Sequence, residues 1–214
     1  FHKLLLKGIK PSVGMTFLRD AGLLKFFPEI EALIDVPQSP QWHPEGDVWI
    51  HTLMCLDVAA TLRTGDAFED EALMFGILCH DFGKPESTTI EEDGRIRAIK
   101  HEIRGIGPTE RFMAQLRVGK KLTDAVSVIV ECHLRPSQFA KQGAGKAAYR
   151  RLARKLHRGG ANITLLERVG RADSLGRTTE NALKGLYPSG AIFLEQAHLA
   201  EVLNGPNQDA VQGR

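Results

Sequence analysis

The sequence lacks the features that would place a protein across a membrane or outside the cell. Its longest unbroken apolar stretch is residues 72–79, far short of the roughly 18 residues that span a bilayer. It begins at Phe1 with no cationic leader before an apolar segment, so no secretory signal is visible and a trimmed chain is expected. Its three cysteines, Cys55, Cys79 and Cys132, form no CxxC pair, which argues against a disulfide framework. These absences predict a soluble, cytoplasmic protein that does not associate with membranes.

Several catalytic signatures are missing as well. The sequence contains no GxSxG elbow of an acyl-transferring hydrolase, and neither a GxGxxG nor a GxxxxGK[ST] loop to cradle a nucleotide. Acyl transfer and nucleotide binding through such loops are therefore not predicted. With 214 residues, 43% of them hydrophobic, the chain can bury a sizeable core in one large domain or in a domain with an appendage.

Apolar residues recur at three- and four-residue spacing along most of the chain, which predicts an all-α protein. The exception is residues 87–99, where Asp93-Gly94 between two β-prone runs predicts a small hairpin flap. The predicted helices cover residues 13–26, 48–63, 68–82, 101–117, 122–133, 146–157, 164–182 and 190–203.

The composition changes at residues 36–47, "VPQSPQWHPEGD", which contain three prolines and a glycine and are typical of a linker. This change predicts an N-terminal helical segment at residues 1–36 and a main domain at residues 37–185. Residues 186–214 are expected to form a C-terminal helix and a tail, with "GPNQDAVQGR" frayed at the end.

Polar side chains lie on the inward faces of three predicted helices. His51 shares its face with Met54, Cys55 and Val58, and His80 and Asp173 are likewise preceded by apolar residues at helical spacing. A single histidine of this kind is more often a hydrogen-bonded core residue, and a single buried aspartate more often a cap or an ion-pair member. The conjunction indicates a divalent metal site, because buried carboxylates need a cation.

The order His51, His80-Asp81, Asp173, with "HDFGK" closing a helix, resembles the HD superfamily of metal-dependent phosphohydrolases. The resemblance implies a helical bundle in which His51, His80, Asp81 and Asp173 hold one ion. It also implies that Asp81, His101 and His133 can hold a second. The alternative interpretation of His101 is a residue that begins a helix. The alternative interpretation of His133 is a cation near the C-terminal end of a helix. The cysteines are expected to be small core residues rather than ligands.

The metals expected at such a site accept mixed nitrogen and oxygen ligands: Mn, Mg, Ni, Co, Fe or Zn. One or two such ions suit phosphoester hydrolysis, with Asp81 and Lys84 as the catalytic candidates. Lys84, Arg104 and Arg177 are candidates for binding a substrate phosphate, although each of them has the alternative of a solvated surface charge. The other histidines, His2, His43, His157 and His198, are expected to be surface residues.

A closer resemblance covers roughly residues 1–182. The segments "WHPEGDVWIHTL" and "ADSLGRTTE" are similar to the C-terminal half of bacterial tRNA nucleotidyltransferases, the CCA-adding enzymes. The Gly-Ser motif and paired DxD carboxylates of their polymerase head are missing, so this chain alone is not expected to add nucleotides. The resemblance implies phosphatase and 2′,3′-cyclic phosphodiesterase activity on nucleotides or RNA ends.

The charge is uneven, because residues 141–158 carry +7 and the remainder of the chain carries −5. On the predicted helix in this segment, Arg150, Arg151, Arg154 and Lys155 are candidates for binding RNA, possible tRNA included, although such stripes are usually only solvated faces. Trp42 and Trp49 could stack on bases but are expected to be packing residues. Two hypotheses follow: a phosphohydrolase, or an RNA-binding module without its polymerase head.

Overall fold

The computed structural model describes residues 1–203 and 205–206. These residues form α-helices and one small hairpin, so the prediction of an all-α bundle with a flap is confirmed. In chain order the elements are α1 (His2–Lys7), α2 (Pro11–Asp20), a 3-10 turn (Leu24–Phe26), α3 (Pro28–Glu31), α4 (Val48–Thr61), α5 (Ala67–Cys79), α6 (Lys84–Ser87), β1 (Thr88–Ile90), β2 (Ile96–Ala98), α7 (His101–Arg104), α8 (Ile106–Gln115), α9 (Lys120–Cys132), α10 (Arg135–Gln142), α11 (Lys146–Gly159), α12 (Ile163–Leu175), α13 (Glu180–Leu183) and α14 (Pro188–Leu199).

The helix α5 is the centre of the fold. Its residues 72–79 are all buried, and it packs against α4, α9 and α12. The side chain of Asp66 caps its first turn by accepting a hydrogen bond from the Glu69 N–H at 2.8 Å. A Cβ on Gly76 would lie 2.9 Å from the Ile129 side chain, so the absence of a side chain there lets α5 and α9 approach closely. The end of α5 is therefore held inside the bundle.

The helices differ from the predicted boundaries at four points. The predicted helix 13–26 ends at Asp20, and the predicted helix 68–82 ends at Cys79. The predicted helix 101–117 divides at Gly105 into α7 and α8, and the predicted helix 164–182 ends at Leu175, before Gly176. At Gly105 and Gly176 the backbone closely approaches a neighbouring segment, and such tertiary contacts override local periodicity. The sequence pattern also missed the short helices α1, α3, α6 and α10.

The predicted hairpin is present. β1 and β2 pair antiparallel, with Thr88 opposite Ala98 and Ile90 opposite Ile96. Gly94 adopts a φ of +80° in the connecting turn, a conformation that glycine tolerates without a steric penalty. The hairpin leads directly into α7 and so lies beside the end of α5.

The N-terminal helices make polar contacts with α4 and with Arg63, which lies just after α4. The Ser12 hydroxyl donates to Asp57 Oδ2 at 2.7 Å, and the Arg63 guanidinium donates to the carbonyl oxygens of Leu5 and Gly8 at 3.2 and 2.9 Å. The Arg63 bonds satisfy carbonyls at the C-terminal end of α1, which have no partner within the helix. The domain boundaries at residues 36–37 and 185–186 stay predictions. The predicted fraying of the tail concerns residues 205–214, of which 207–214 lie outside the described residues.

Candidate metal centre

Six side chains from five helical segments converge at one end of the bundle. They belong to the inner face of α4, the residues that follow α5, the start of α7, the residue that follows α9, and α12. All six are buried. They are His51, His80, Asp81, His101, His133 and Asp173.

The first donor group joins α4, α5 and α12. His51 Nε2 lies 3.2 Å from Asp173 Oδ1 and 3.4 Å from His80 Nε2. Asp81 Oδ2 lies 3.2 Å from His80 Nε2 and 3.9 Å from His51 Nε2. The approach of α12 to α4 depends on Gly176, since a Cβ there would lie 2.4 Å from Cys55 Sγ. The four residues that the sequence predicts for the first ion are thus brought together.

The second donor group shares Asp81 with the first. Asp81 Oδ1 lies 3.3 Å from His101 Nε2, and His101 Nε2 lies 3.3 Å from His133 Nε2. Among the residues that the structure describes, no donor forms a hydrogen bond to Asp81 Oδ1, and Oδ2 lies 2.7 Å from the Lys84 ammonium. A buried carboxylate is costly unless cations or donors satisfy it. Asp81 therefore stands between two sets of nitrogen donors, with Oδ2 paired to Lys84 and Oδ1 without a hydrogen bond.

In each of the four histidines of the two donor groups, Nδ1 lies within hydrogen-bonding distance of an oxygen atom. With Nδ1 carrying the proton in such a bond, Nε2 presents its lone pair to the centre. Two facing lone pairs at 3.3–3.4 Å repel each other, so each pair of histidines needs a proton or a metal ion between them. The oxygen partners are Ile77 O for His80 at 2.7 Å, Ala98 O for His101 at 2.8 Å, Val130 O for His133 at 2.7 Å and Glu45 Oε1 for His51 at 2.8 Å.

Glu45 and His43 are residues of the site that the sequence interpretation missed. The Glu45 side chain is 1% exposed, and its Oε1 lies 2.8 Å from Nδ1 of both His43 and His51. The pKa of Glu45 is lowered because the bonds from His43 and His51 outweigh its burial. The expectation that His43 is a surface residue is wrong, because its ring packs against His51 with centroids 4.5 Å apart. His2, His157 and His198 are exposed as expected.

The signal that could have revealed these two residues is "HPEGD" just before α4. A ligating histidine needs a carboxylate or carbonyl partner for its outer nitrogen, and Glu45 is an acidic residue close to His51 in the chain. This pair lies in an irregular loop, where helical periodicity gives no information. Residues 36–47, predicted as a linker, cover one side of the site.

The two buried aspartates have counter-charges within the protein. Lys84 Nζ lies 2.7 Å from Asp81 Oδ2, and Arg177 NH2 donates to Asp173 Oδ1 at 2.6 Å. Burial alone would raise the pKa of both aspartates, but His80 and Lys84 hold that of Asp81, and Arg177 that of Asp173, well below the usual range. When the histidines are neutral, Asp81, Asp173 and Glu45 carry three negative charges, and Lys84 and Arg177 carry two positive charges. The net charge of the site is then −1. The centre therefore favours an additional cation.

The histidines differ in their affinity for protons. Burial, with His101 and His80 nearby, lowers the pKa of His133 to about 3. Burial also lowers the pKa of His101, whereas Asp81 outweighs burial at His80 and raises its pKa. A metal ion competes with protons for the histidine nitrogens, so its binding becomes tighter as pH rises.

A cavity of about 260 Å³ opens onto this centre. Its walls include Asp81, His101, His133 and Asp173, together with Lys84 and Arg177. Lys84 is buried and also donates to Gln38 Oε1 at 2.6 Å, so its ammonium group is fixed in place. The structure thus brings two of the three predicted phosphate-binding residues to the cavity. The third, Arg104, donates to the carbonyl oxygen of Glu86 at 2.9 Å and does not line the cavity.

The cysteines are all buried and reduced, in keeping with the expectation that they are core residues. Cys55 is a special case because its Sγ lies 3.4 Å from His51 Nε2, inside the first donor group. Burial and the nearby Asp173 raise the pKa of the Cys55 thiol well above its ordinary value. The thiol is therefore neutral at physiological pH, and nitrogen and oxygen atoms provide the better ligands.

The four residues predicted to bind RNA lie on α11, and none of them lines the metal cavity. Tyr149, Leu152 and Leu156 of this helix are buried as predicted. Two of the four basic residues pair with acids: Arg150 lies 3.7 Å from Glu201, and Lys155 forms an ion pair with Glu131. The other two, Arg151 and Arg154, are exposed.

Comparison with known protein families matches the HD domain to residues 48–177, more than half of the chain. This chain belongs to the HD-domain family. HD domains are metal-dependent phosphohydrolases that bind divalent metal ions, and the donor groups described above fit such an ion. The match begins at α4 with His51 and ends just after Asp173, so it includes both donor groups of this HD domain. In the described part of the chain, no helix is long and apolar enough to cross a membrane.

Proposed function

We propose that this HD-domain protein hydrolyses a phosphomonoester or a 2′,3′-cyclic phosphodiester of a nucleotide or RNA end. The observation that carries the proposal is the position of Asp81. Its two oxygens lie 3.2 Å from His80 Nε2 and 3.3 Å from His101 Nε2, and the Lys84 ammonium lies 2.7 Å from the oxygen that faces His80. Such a carboxylate can bridge two ions, one held with His51, His80 and Asp173, the other with His101 and His133.

A bound divalent ion would lower the pKa of a water molecule and neutralise charge on a phosphoryl oxygen. Nitrogen and oxygen donors of this kind accept Mn, Mg, Ni, Co, Fe or Zn. The protein's own contribution is orientation, because Glu45 and three backbone carbonyls fix the histidine rings. Lys84 and Arg177 line the cavity and place positive charge where substrate phosphate oxygens would bind.

The choice of a nucleotide or RNA end rests on the size of the site and on sequence resemblance. The cavity of about 260 Å³ is slightly smaller than the roughly 300–1,000 Å³ of typical ligand sites, so it suits a ligand no larger than a single nucleotide unit. "WHPEGDVWIHTL" and "ADSLGRTTE" resemble segments of tRNA nucleotidyltransferases, whose substrates are RNA ends. Both segments contribute to the centre, through Glu45 and His51 and through Asp173 and Arg177.

The proposal is tested by assaying metal-stripped protein with each candidate metal on adenosine 3′-monophosphate and adenosine 2′,3′-cyclic monophosphate. We expect turnover of at least one of these substrates that requires added metal, is abolished by EDTA and returns when metal is restored. Acyclic bis(p-nitrophenyl) phosphate serves as a diester without a ribose. Absence of turnover with every metal would refute the proposal.

A second candidate function, RNA binding, is favoured by a groove that meets the metal cavity at residues 132–135. Cys132 and Arg135 line this groove together with Arg151 and Lys155 of α11, whereas the intervening His133 and Leu134 line the metal cavity. Because consecutive Cα atoms are only about 3.8 Å apart, a basic surface lies next to the catalytic cavity. An RNA strand could follow it with its end at the metal centre.

RNA binding predicts a salt-sensitive complex with tRNA. Substituting both Arg151 and Arg154 by alanine should weaken the complex about tenfold at low salt and flatten its salt dependence, because fewer phosphate contacts remain. Fluorescence anisotropy at two salt concentrations measures both effects. Lys120→Ala, an exposed lysine on α9, is the control for loss of charge alone. No salt-sensitive complex with the wild type would eliminate this candidate.

A further inference from the structure

The two tryptophans of the chain lie in different environments. Trp49 is 2% exposed and belongs to the core, as expected. Trp42 is 54% exposed and lines the cavity above the metal centre, which differs from the expectation that it is a packing residue. A scattered exposed apolar side chain needs no explanation, but a half-exposed indole on the wall of a candidate active site does.

The loop that carries Trp42 is fixed to the metal centre. The carbonyl oxygen of Ser39 accepts hydrogen bonds from the N–H groups of Trp42 and His43 at 3.0 and 2.9 Å. The next side chain, His43, shares the Glu45 carboxylate with His51. The backbone of Trp42 is therefore one residue away from the network that orients a predicted metal ligand, so the point from which the indole extends is fixed relative to that ligand.

Other residues add apolar surface to the same cavity. Pro37 lies on the same loop, and Ile96 and Ala98 of β2 contribute apolar surface from the hairpin. Thr88, on the partner strand β1, also lines the cavity, and its buried hydroxyl has no hydrogen-bond partner among the described residues. An unpartnered hydroxyl of this kind is costly unless a ligand or water satisfies it. The cavity thus combines an aromatic face, an apolar wall and an unused polar group.

We propose that Trp42 is the stacking platform for the base of the substrate, so that the site selects nucleotides over phosphate esters that lack a base. The inference rests on the proposed function. Aromatic side chains bind bases of any sequence by stacking, while the polar edge of the base or ribose finds separate partners. The phosphate would lie at the metal centre beside Lys84 and Arg177, and the base would lie between Trp42 and the hairpin.

Binding is measured by tryptophan fluorescence with adenosine, which contains the base but no phosphate to hydrolyse. We expect adenosine to quench wild-type emission saturably, and glycerol to leave it unchanged. Trp42→Leu should abolish the quenching, although Trp49 still emits. Quenching of the same size in Trp42→Leu, or none in the wild type, would overturn the proposal. This measurement needs no catalytic activity, so it is independent of whether the protein is a phosphohydrolase.

Selectivity is measured by comparing adenosine 3′-monophosphate with glycerol 2-phosphate, a secondary phosphomonoester without a base. Trp42→Leu should raise the KM for the nucleotide about tenfold, the effect expected from the loss of one stacked base, and change glycerol 2-phosphate turnover less than twofold. Trp42→Phe should retain most of the nucleotide affinity. Equal losses on both substrates would indicate a structural role for Trp42 and would contradict the proposal, as would an unchanged KM for the nucleotide.

Discussion

Asp81→Asn should reduce hydrolysis of adenosine 3′-monophosphate or its 2′,3′-cyclic counterpart by at least about a thousandfold, a loss typical of removing a central electrostatic group. The amide retains the shape of the side chain but loses the negative charge that both donor groups share. It also leaves the buried Lys84 ammonium without its carboxylate partner, which further opposes cation binding. Steady-state rates at saturating metal measure the effect.

The matched control is Asp124→Asn. Asp124 is an exposed aspartate on α9 that pairs with Lys120 at 2.8 Å, outside both donor groups. This variant should retain wild-type activity, and both variants should give wild-type circular dichroism spectra. If Asp81→Asn, purified in the same way, hydrolyses substrate as fast as the wild type, then the activity does not come from this centre.

Gly83→Ala should lower the free energy of unfolding by about 3 kcal/mol, at the upper end of the range for overpacking. A Cβ on Gly83 would lie 2.0 Å from the His101 carbonyl oxygen and 2.6 Å from the Gly105 nitrogen, and both are backbone atoms that cannot rotate away. They belong to the hydrogen-bonded turn, 2.8 Å from N to O, that begins with His101. Urea unfolding followed by circular dichroism measures the loss of stability.

A suitable control for this substitution is Gly107→Ala. Gly107 lies in α8, and a Cβ there would meet only the Arg111 guanidinium at 3.6 Å. Alanine is the better helix former, so this variant should be stabilised by up to about 1 kcal/mol. Equal stability of the two alanine variants would show that the close approach of Gly83 to α7 does not hold the site together.

The inward-facing polar residues could be predicted from the sequence because each one lies in a regular helix or directly after its last residue. His51, His80 and Asp173 are preceded or followed by apolar residues at helical spacing, so the period alone places them inside. The structure brings these residues together with Asp81, although their roles as metal ligands stay predictions. The hairpin could also be predicted from the local sequence, because Asp93-Gly94 is a strong turn signal.

The missed features depend on contacts that sequence spacing does not encode. Lys84 lies beyond the end of α5, so no helical stripe identifies it as the counter-ion of Asp81, and the turn after Cys79 brings it there. Glu45 and His43 lie in a loop without periodicity. The break at Gly105 follows from its contact with Gly83, which is 22 positions away in the chain. Local propensity cannot predict such contacts.

We expect His51, His80, Asp81 and Asp173 to hold a divalent metal ion inside the bundle. Isothermal titration of metal-stripped protein with Mn²⁺ measures this binding, comparing the wild type with His51→Gln, Asp173→Asn and the surface variant His157→Gln. The wild type and His157→Gln should take up at least one ion per chain saturably, and the other two variants should lose the tight site. No saturable uptake by the wild type, or equal uptake by all four proteins, would show that these side chains do not form a metal site.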